Sequence, residues 1–338
     1  MKKWLLGCTQ EELAQITERL SLPKYTAKQI AHWLYVKKVN QIDKMSNLSL
    51  ATREKLSEEY EVGGFAPITV TESADGTKKY LFPSLTGVEV EAVLIPDSER
   101  ATLCVSSQAG CRMGCRFCMT GRMGFGGDLT TGEILSQIMN IQERDALTNI
   151  VFMGMGEPMD NIRNVLKATE IITSEQGFGW SPKRVTVSTI GVMPHLKTFL
   201  DSSKCHLALS LHNPFNNERV EFMPMQKAWP LDEILQLIKS YDFTGQRRVS
   251  FEYIMFSGWN DSKRHADALI RMLKGLECRV NLIRFHEIPN FQYTTSPMHI
   301  IENFRDRLNK FGIVTTIRAS RGEDILAACG MLSSKKGI

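Results

Sequence analysis

Residues 101–118, ATLCVSSQAGCRMGCRFC, pass from an apolar, β-branched run directly into three closely spaced cysteines. The run at 101–107 reads as a strand. The loop after it carries Cys111, Cys115 and Cys118 with the spacing C-x3-C-x2-C. Three thiolates on one tight loop can bind three irons of a cubane cluster and leave the fourth iron for a non-protein ligand. A structural zinc site wants four closed ligands, usually as two separated pairs, and no second pair is present. The remaining alternative is three buried, unligated thiols.

Beyond this stretch, further apolar runs at 149–153, 184–188, 205–211, 248–255, 279–284 and 313–318 alternate with amphipathic helical patterns. One such helix is expected over 131–144, where Thr130 and Glu133 have capping-box spacing. Six or so β-α units imply an α/β fold, a parallel sheet with right-handed crossovers that forms a barrel or part of one. In such a fold the chemistry sits on the loops that follow the strands. The sequence obeys this rule: the cysteines follow the first strand and Gly154-Met-Gly-Glu-Pro158 the second, while Ser188, Ser210-Leu211-His212 and Arg284-Phe-His286 end later ones. Glycines allow close approach to the backbone, and the Glu157 carboxylate suits an ammonium partner.

Upstream, 63–96 holds short alternating runs around an Asp75-Gly76 turn, and 1–60 has helical spacing. The expected organisation is a small helical module at 1–60, a β-rich connecting segment at 61–96 and a catalytic domain at 97–338. The opening MKKWLLGC mimics a lipoprotein leader, but its apolar run is Trp4-Leu5-Leu6 where about 7–15 residues are needed; with Glu11 and Glu12 following and Leu13, Ile16 and Leu20 at helical spacing, it reads as the beginning of a folded helix. No run approaches the roughly 18 apolar residues of a membrane span. The eight cysteines, without a secretion signal, point to metal or redox chemistry and a cytoplasmic setting. A net charge of +4, from 41 basic and 37 acidic residues, permits a nucleic-acid partner without requiring one.

The strings Ala101–Cys111, Met153-Gly-Met-Gly-Glu-Pro158, Ser210-Leu-His212 and Ala327-Ala-Cys-Gly330, added to the cysteine triplet, make the chain resemble the RlmN/Cfr family of radical S-adenosylmethionine (SAM) enzymes. The resemblance implies a partial (β/α)6 TIM-like barrel, one [4Fe-4S] cluster on Cys111, Cys115 and Cys118, and two SAM molecules per turnover. The implied activity is methylation of adenosine in 23S rRNA and tRNA. Cys329 would carry the methyl group, Cys104 would resolve the protein–RNA link through a transient disulfide, and Glu91 would accept a proton. SAM contacts are implied for Gly156, Glu157, Ser188, Ser210, Leu211 and His212. At position 286 the family usually has asparagine, so the contact there would fall to His286.

RNA would be met by Arg112, Arg116, Arg122, Arg318, Arg321 and the Lys37-Lys38 corner. A flavodoxin or ferredoxin would donate electrons, and a monomer is expected. Pro158 after Glu157 resembles the RlmN branch, which methylates carbon 2. Thr120-Gly121 and 280–284 look closer to the Cfr branch, which methylates carbon 8. Another radical SAM enzyme, or a non-catalytic cluster-bearing RNA-binding module, are the alternatives.

Overall fold

The computed structural model describes residues 2–245 and 247–333. Its centre is a ten-stranded sheet with strands in unbroken chain order: β1 Thr69–Glu72, β2 Lys78–Phe82, β3 Val90–Asp97, β4 Arg100–Cys104, β5 Asn149–Phe152, β6 Val185–Thr189, β7 His206–Ser210, β8 Val249–Met255, β9 Cys278–Arg284 and β10 Val314–Ile317. Neighbours from β1 to β4 are antiparallel, and from β4 onward every neighbour is parallel. The helices Thr131–Met139, Ile162–Thr173, Met193–Ser202, Leu231–Lys239, Lys263–Leu273 and Met298–Lys310 lie in the six crossovers of the parallel part. Among the described residues neither β1 nor β10 pairs further, so the barrel is partial.

Strands such as β8, whose residues from Phe251 to Met255 are all buried, need cover on both faces, and the crossover helices provide it on the outside. The helix Thr131–Met139 starts at the expected box, with Thr130 accepting from the Glu133 backbone and the Glu133 side chain accepting from the Thr130 backbone. It stops at Asn140, whose side chain donates to Phe65 O (2.9 Å), and so falls short of the 131–144 span expected. The first parallel strand likewise ends at Cys104 rather than at 107. Beyond it, Ser106 N donates to Gln137 Oε1 (2.8 Å), and Gln108–Gly110 pairs with Phe125–Asp128 as a separate hairpin. The 61–96 segment contributes β1–β3, antiparallel strands that extend the barrel sheet itself.

Residues before 61 form the helices Gln10–Arg19, Thr26–Ala31 and Leu50–Glu59, with Lys3–Trp4 paired in parallel to Tyr60–Glu61. One apolar core runs without interruption from Leu5, Leu13 and Leu34 into Leu103, Ile134 and Val187. The contact is close at Gly7, where a Cβ would lie 2.5 Å from Gly132 N, and Gly7 has φ +93°. Lys167–Glu12 and Lys38–Asp145 ion pairs join the same two regions. No helix among the described residues is long and apolar enough to cross a membrane.

Candidate active site

The chain after β10 returns across the open ends of the parallel strands as a strap, residues 318–333, fastened at both ends. On one side Asp324 accepts from Ser73 Oγ (2.6 Å) and Ala74 N (3.2 Å), and Asp75 accepts from Gly322 N (3.0 Å). On the other, Met119 N donates to Gly330 O (2.8 Å) and Thr120 Oγ1 to Leu332 O (2.7 Å). Beneath the strap lie two adjoining cavities of about 150 Å³ each. Both are bounded by Cys118, Met153, Arg318 and Cys329.

The first cavity gathers Cys111, Cys115 and Cys118 with Gly156, Glu157, Ser188, Ser210 and His212. Among the described residues no three His, Cys, Asp or Glu side chains converge on a single metal ion. Three thiols from one loop that line one cavity are the donors of a cluster that takes one thiolate per iron. The donor set therefore fits a three-cysteine cubane. Burial pushes the Cys111 thiol up to about 12 and raises Cys115 and Cys118 too, so thiolates here need compensating positive charge.

Glu157 is 3% exposed and accepts from Met159 N and Ile190 N, each at 3.0 Å. Burial raises its pKa to about 7. No cationic side chain among the described residues pairs with it, which leaves a buried carboxylate facing a cavity, as a ligand ammonium requires. The glycines beside it line the cavity and also meet a packing demand: a Cβ on Gly156 (φ +99°) would lie 2.5 Å from Gln108 Cβ, and one on Gly154 2.7 Å from Ser106 Oγ.

His212 adopts φ +56°, unusual for a residue with a Cβ. Its Nδ1 accepts from Ile254 N (3.1 Å), which puts the proton on Nε2. Burial first and then Arg219 lower its pKa to about 3, so the ring is a neutral donor. Phe117 packs edge-on against it, with ring centroids 5.0 Å apart.

The second cavity holds Cys104, Cys329 and His286. Cys104 is buried, Cys329 is exposed, and both are free thiols. Burial first, then Cys329, push Cys104 up to about 12. Arg318, between the cavities, faces Glu252 at 3.5 Å, and Glu252 is held by Asn281 Nδ2 (2.8 Å) and Ser250 Oγ (3.1 Å). Cys329, the largest influence, and Glu252 keep the guanidinium charged against the cost of burial.

Besides Cys104, three expected site residues stand apart from the first cavity. Leu211 is fully buried and points into the core. His286 lines the second cavity and faces the strap, 3.3 Å from Ser320 Oγ and 3.4 Å from Glu323. Glu91 lies behind the cavity walls, 5% exposed, 3.3 Å from Lys79 Nζ and accepting from Ser333 N (2.8 Å). Burial, opposed by Lys79, raises its pKa.

Of the basic residues expected at RNA, Arg112 pairs with Asp160 (2.8 Å) and stacks on Phe125, Arg122 donates to Pro289 O, and Lys38 pairs with Asp145. Arg116 and Lys37 are exposed and Arg321 is half-buried. Sequence reasoning missed Glu252 and its partner Asn281. The available signal was a carboxylate in the middle of an otherwise apolar strand, Val249-Ser-Phe-Glu-Tyr-Ile-Met255.

Comparison with known proteins adds an independent line. Residues 105–270 match the Radical SAM superfamily, and residues 4–62 match the ribosomal RNA large subunit methyltransferase N-terminal domain. A probable dual-specificity RNA methyltransferase RlmN from Parabacteroides distasonis is 55% identical, covering 100% of this chain and 98% of its own. The dual-specificity RNA methyltransferase RlmN from Syntrophus aciditrophicus is 43% identical over 96% of this chain and 94% of its own. A crystal structure of a radical SAM methyltransferase from Sphaerobacter thermophilus superposes with a TM-score of 0.91 at 36% identity, covering 98% of this chain and 99% of that one.

Proposed function

The chain belongs to the RlmN family of radical SAM RNA methyltransferases, and on that premise we propose that it methylates carbon 2 of adenosine in 23S rRNA and tRNA through a methyl group carried on Cys329. Family membership carries with it a [4Fe-4S] cluster and SAM. The observation that carries the finer reading is the position of Cys329 on the wall common to both cavities, between the three-cysteine site and Cys104.

When bound, the cluster and SAM supply a 5′-deoxyadenosyl radical. Cys111, Cys115 and Cys118 hold the cluster. Glu157 receives the SAM ammonium, and Ser188, Ser210 and the Nε2–H of His212 serve its remaining oxygens. Cys329 acts twice. As a thiolate beside the Arg318 charge it takes a methyl group from one SAM in a displacement. Cys329 would then hold that methyl group where the chemistry supplied by a second SAM could take a hydrogen atom from it, freeing its carbon to add to the adenine. Glu91, whose burial favours the protonated form, would take up the proton that the methylated ring carbon loses. Cys104 attacks the Cys329 sulfur, forming a disulfide as the carbon–sulfur bond to the RNA breaks; the carbon keeps the bonding pair and takes a proton, the unpaired electron passes back to the external electron carrier, and a dithiol reductant reopens the disulfide before the next turnover. The second cavity is assigned to the base, extruded from its stack.

The test is mass spectrometry of nucleosides from rRNA and tRNA treated with the reconstituted protein. 2-Methyladenosine from wild type and none from Cys329→Ala supports the reading. Methylation by Cys329→Ala removes the two-cysteine route, and 8-methyladenosine moves the attack to carbon 8.

A further inference from the structure

One buried cation has no role in the scheme above. Arg219, in the helix Asn216–Phe222, is 2% exposed. Its Nε donates to Leu211 O (3.0 Å), Nη2 to Ser210 O (2.9 Å) and Ile190 O (3.2 Å), and Nη1 to Gln226 Oε1. All four acceptors are neutral. A buried charge is expensive unless an opposite charge offsets it, and no carboxylate among the described residues pairs with this one.

Among the described residues the ionisable group that acts on Arg219 is Cys115, on the cysteine loop. Ser210 and Ile190, whose carbonyls it holds, line the same cavity as Cys115. The cysteine loop rests on the segment that carries Arg219: Arg116 N donates to Phe222 O (2.9 Å), and a Cβ on Gly114 would meet Pro224 at 4.0 Å. The guanidinium is thus fixed by four neutral acceptors behind the wall that faces the cluster thiolates.

We propose that Arg219 is a positioning residue for the radical-forming step: its fixed charge offsets the anionic three-thiolate cluster and raises the cluster's reduction potential. The inference rests on the three-cysteine cluster reading. A cubane core of charge 2+ bearing three thiolates is anionic, and one-electron reduction makes it more so. A nearby cation therefore favours the reduced state over the oxidised one. The electron comes from the external donor, and no bond to Arg219 forms or breaks.

The experiment is an anaerobic redox titration of the reconstituted full-length protein, followed by electron paramagnetic resonance, without SAM or RNA. Arg219→Met with a full iron complement is expected to show about a tenfold lower ratio of reduced to oxidised cluster at fixed potential, a shift of about 59 mV. Arg219→Lys, which keeps the charge, stays within a third of that shift from wild type. Wild-type behaviour of Arg219→Met, or an equal shift in Arg219→Lys, overturns the proposal.

If Arg219→Met holds no cluster, Arg219→His makes the comparison in one folded protein. Its reduced fraction, relative to wild type, should rise as the imidazole protonates on acidification, and a pH-independent difference overturns the proposal. A wild-type protein that assembles no cluster counts instead against the radical SAM reading.

Discussion

Replacing Glu157 with glutamine isolates the energetic consequence of a carboxylate buried to await a cation. Burial raises the Glu157 pKa from 4.5 to about 7, and about 1.4 kcal/mol per pKa unit makes this roughly 3 kcal/mol. The sign follows from linkage: the folded state binds the proton more tightly than the unfolded chain. The stabilising contribution is complete below pH 4.5 and is lost as pH rises through 7. Glutamine does not titrate, but it leaves Met159 N or Ile190 N without an acceptor, a pH-independent cost of about 1–3 kcal/mol.

Urea unfolding of cluster-free protein should therefore show Glu157→Gln less stable than wild type at pH 5. The difference should move in the variant's favour by about 2.5 kcal/mol between pH 5 and pH 8, since at pH 5 part of the unfolded-state titration is already over. SAM should bind wild type more weakly at pH 6 than at pH 8, and the variant weakly at both. A stability difference that is flat across this range would refute the assignment of Glu157 as the waiting counter-charge.

Cys104→Ala should accumulate a nuclease-resistant nucleotide on Cys329, seen as a mass increase of the protein, while wild type shows none at completion. Gly156→Ala should cost about 2–4 kcal/mol, read as a lowered thermal midpoint, because the methyl group meets Gln108 at 2.5 Å and the backbone has φ +99°. Cys115→Ser should lose the iron content and visible absorption of the reconstituted protein. Nuclear magnetic resonance of His212 should find the ring neutral down to about pH 4, since burial holds its pKa near 3; protonation near pH 6 would contradict its role as an Nε2–H donor.

The parallel strands were legible because each is a short β-branched run between amphipathic helices, and the expected bounds at 149–153 and 248–255 differ from the observed strands by one residue. The cysteine site was legible because its ligands are adjacent in sequence. What was hidden depends on packing. Alternation in Val90–Asp97 marks a strand but not its partner, so the joining of 61–96 to the barrel sheet could not be read. That the missing Cβ atoms of Gly154 and Gly156 also make space for Ser106 and Gln108 could be learned only from the packing. His286 could be placed at the end of β9, but only the path of the strap puts it opposite Ser320 and Glu323. Arg219 carries a charge that sequence alone would assign to the surface, and only the fold encloses it.

The central claim, that Cys329 carries the methyl group to carbon 2, is tested most directly with SAM bearing a trideuterated methyl group. After several turnovers on rRNA and tRNA, the nucleosides are analysed by mass spectrometry. The account predicts 2-methyladenosine retaining two deuterium atoms, with the third in 5′-deoxyadenosine. A product that keeps all three, or one methylated at carbon 8, would contradict it.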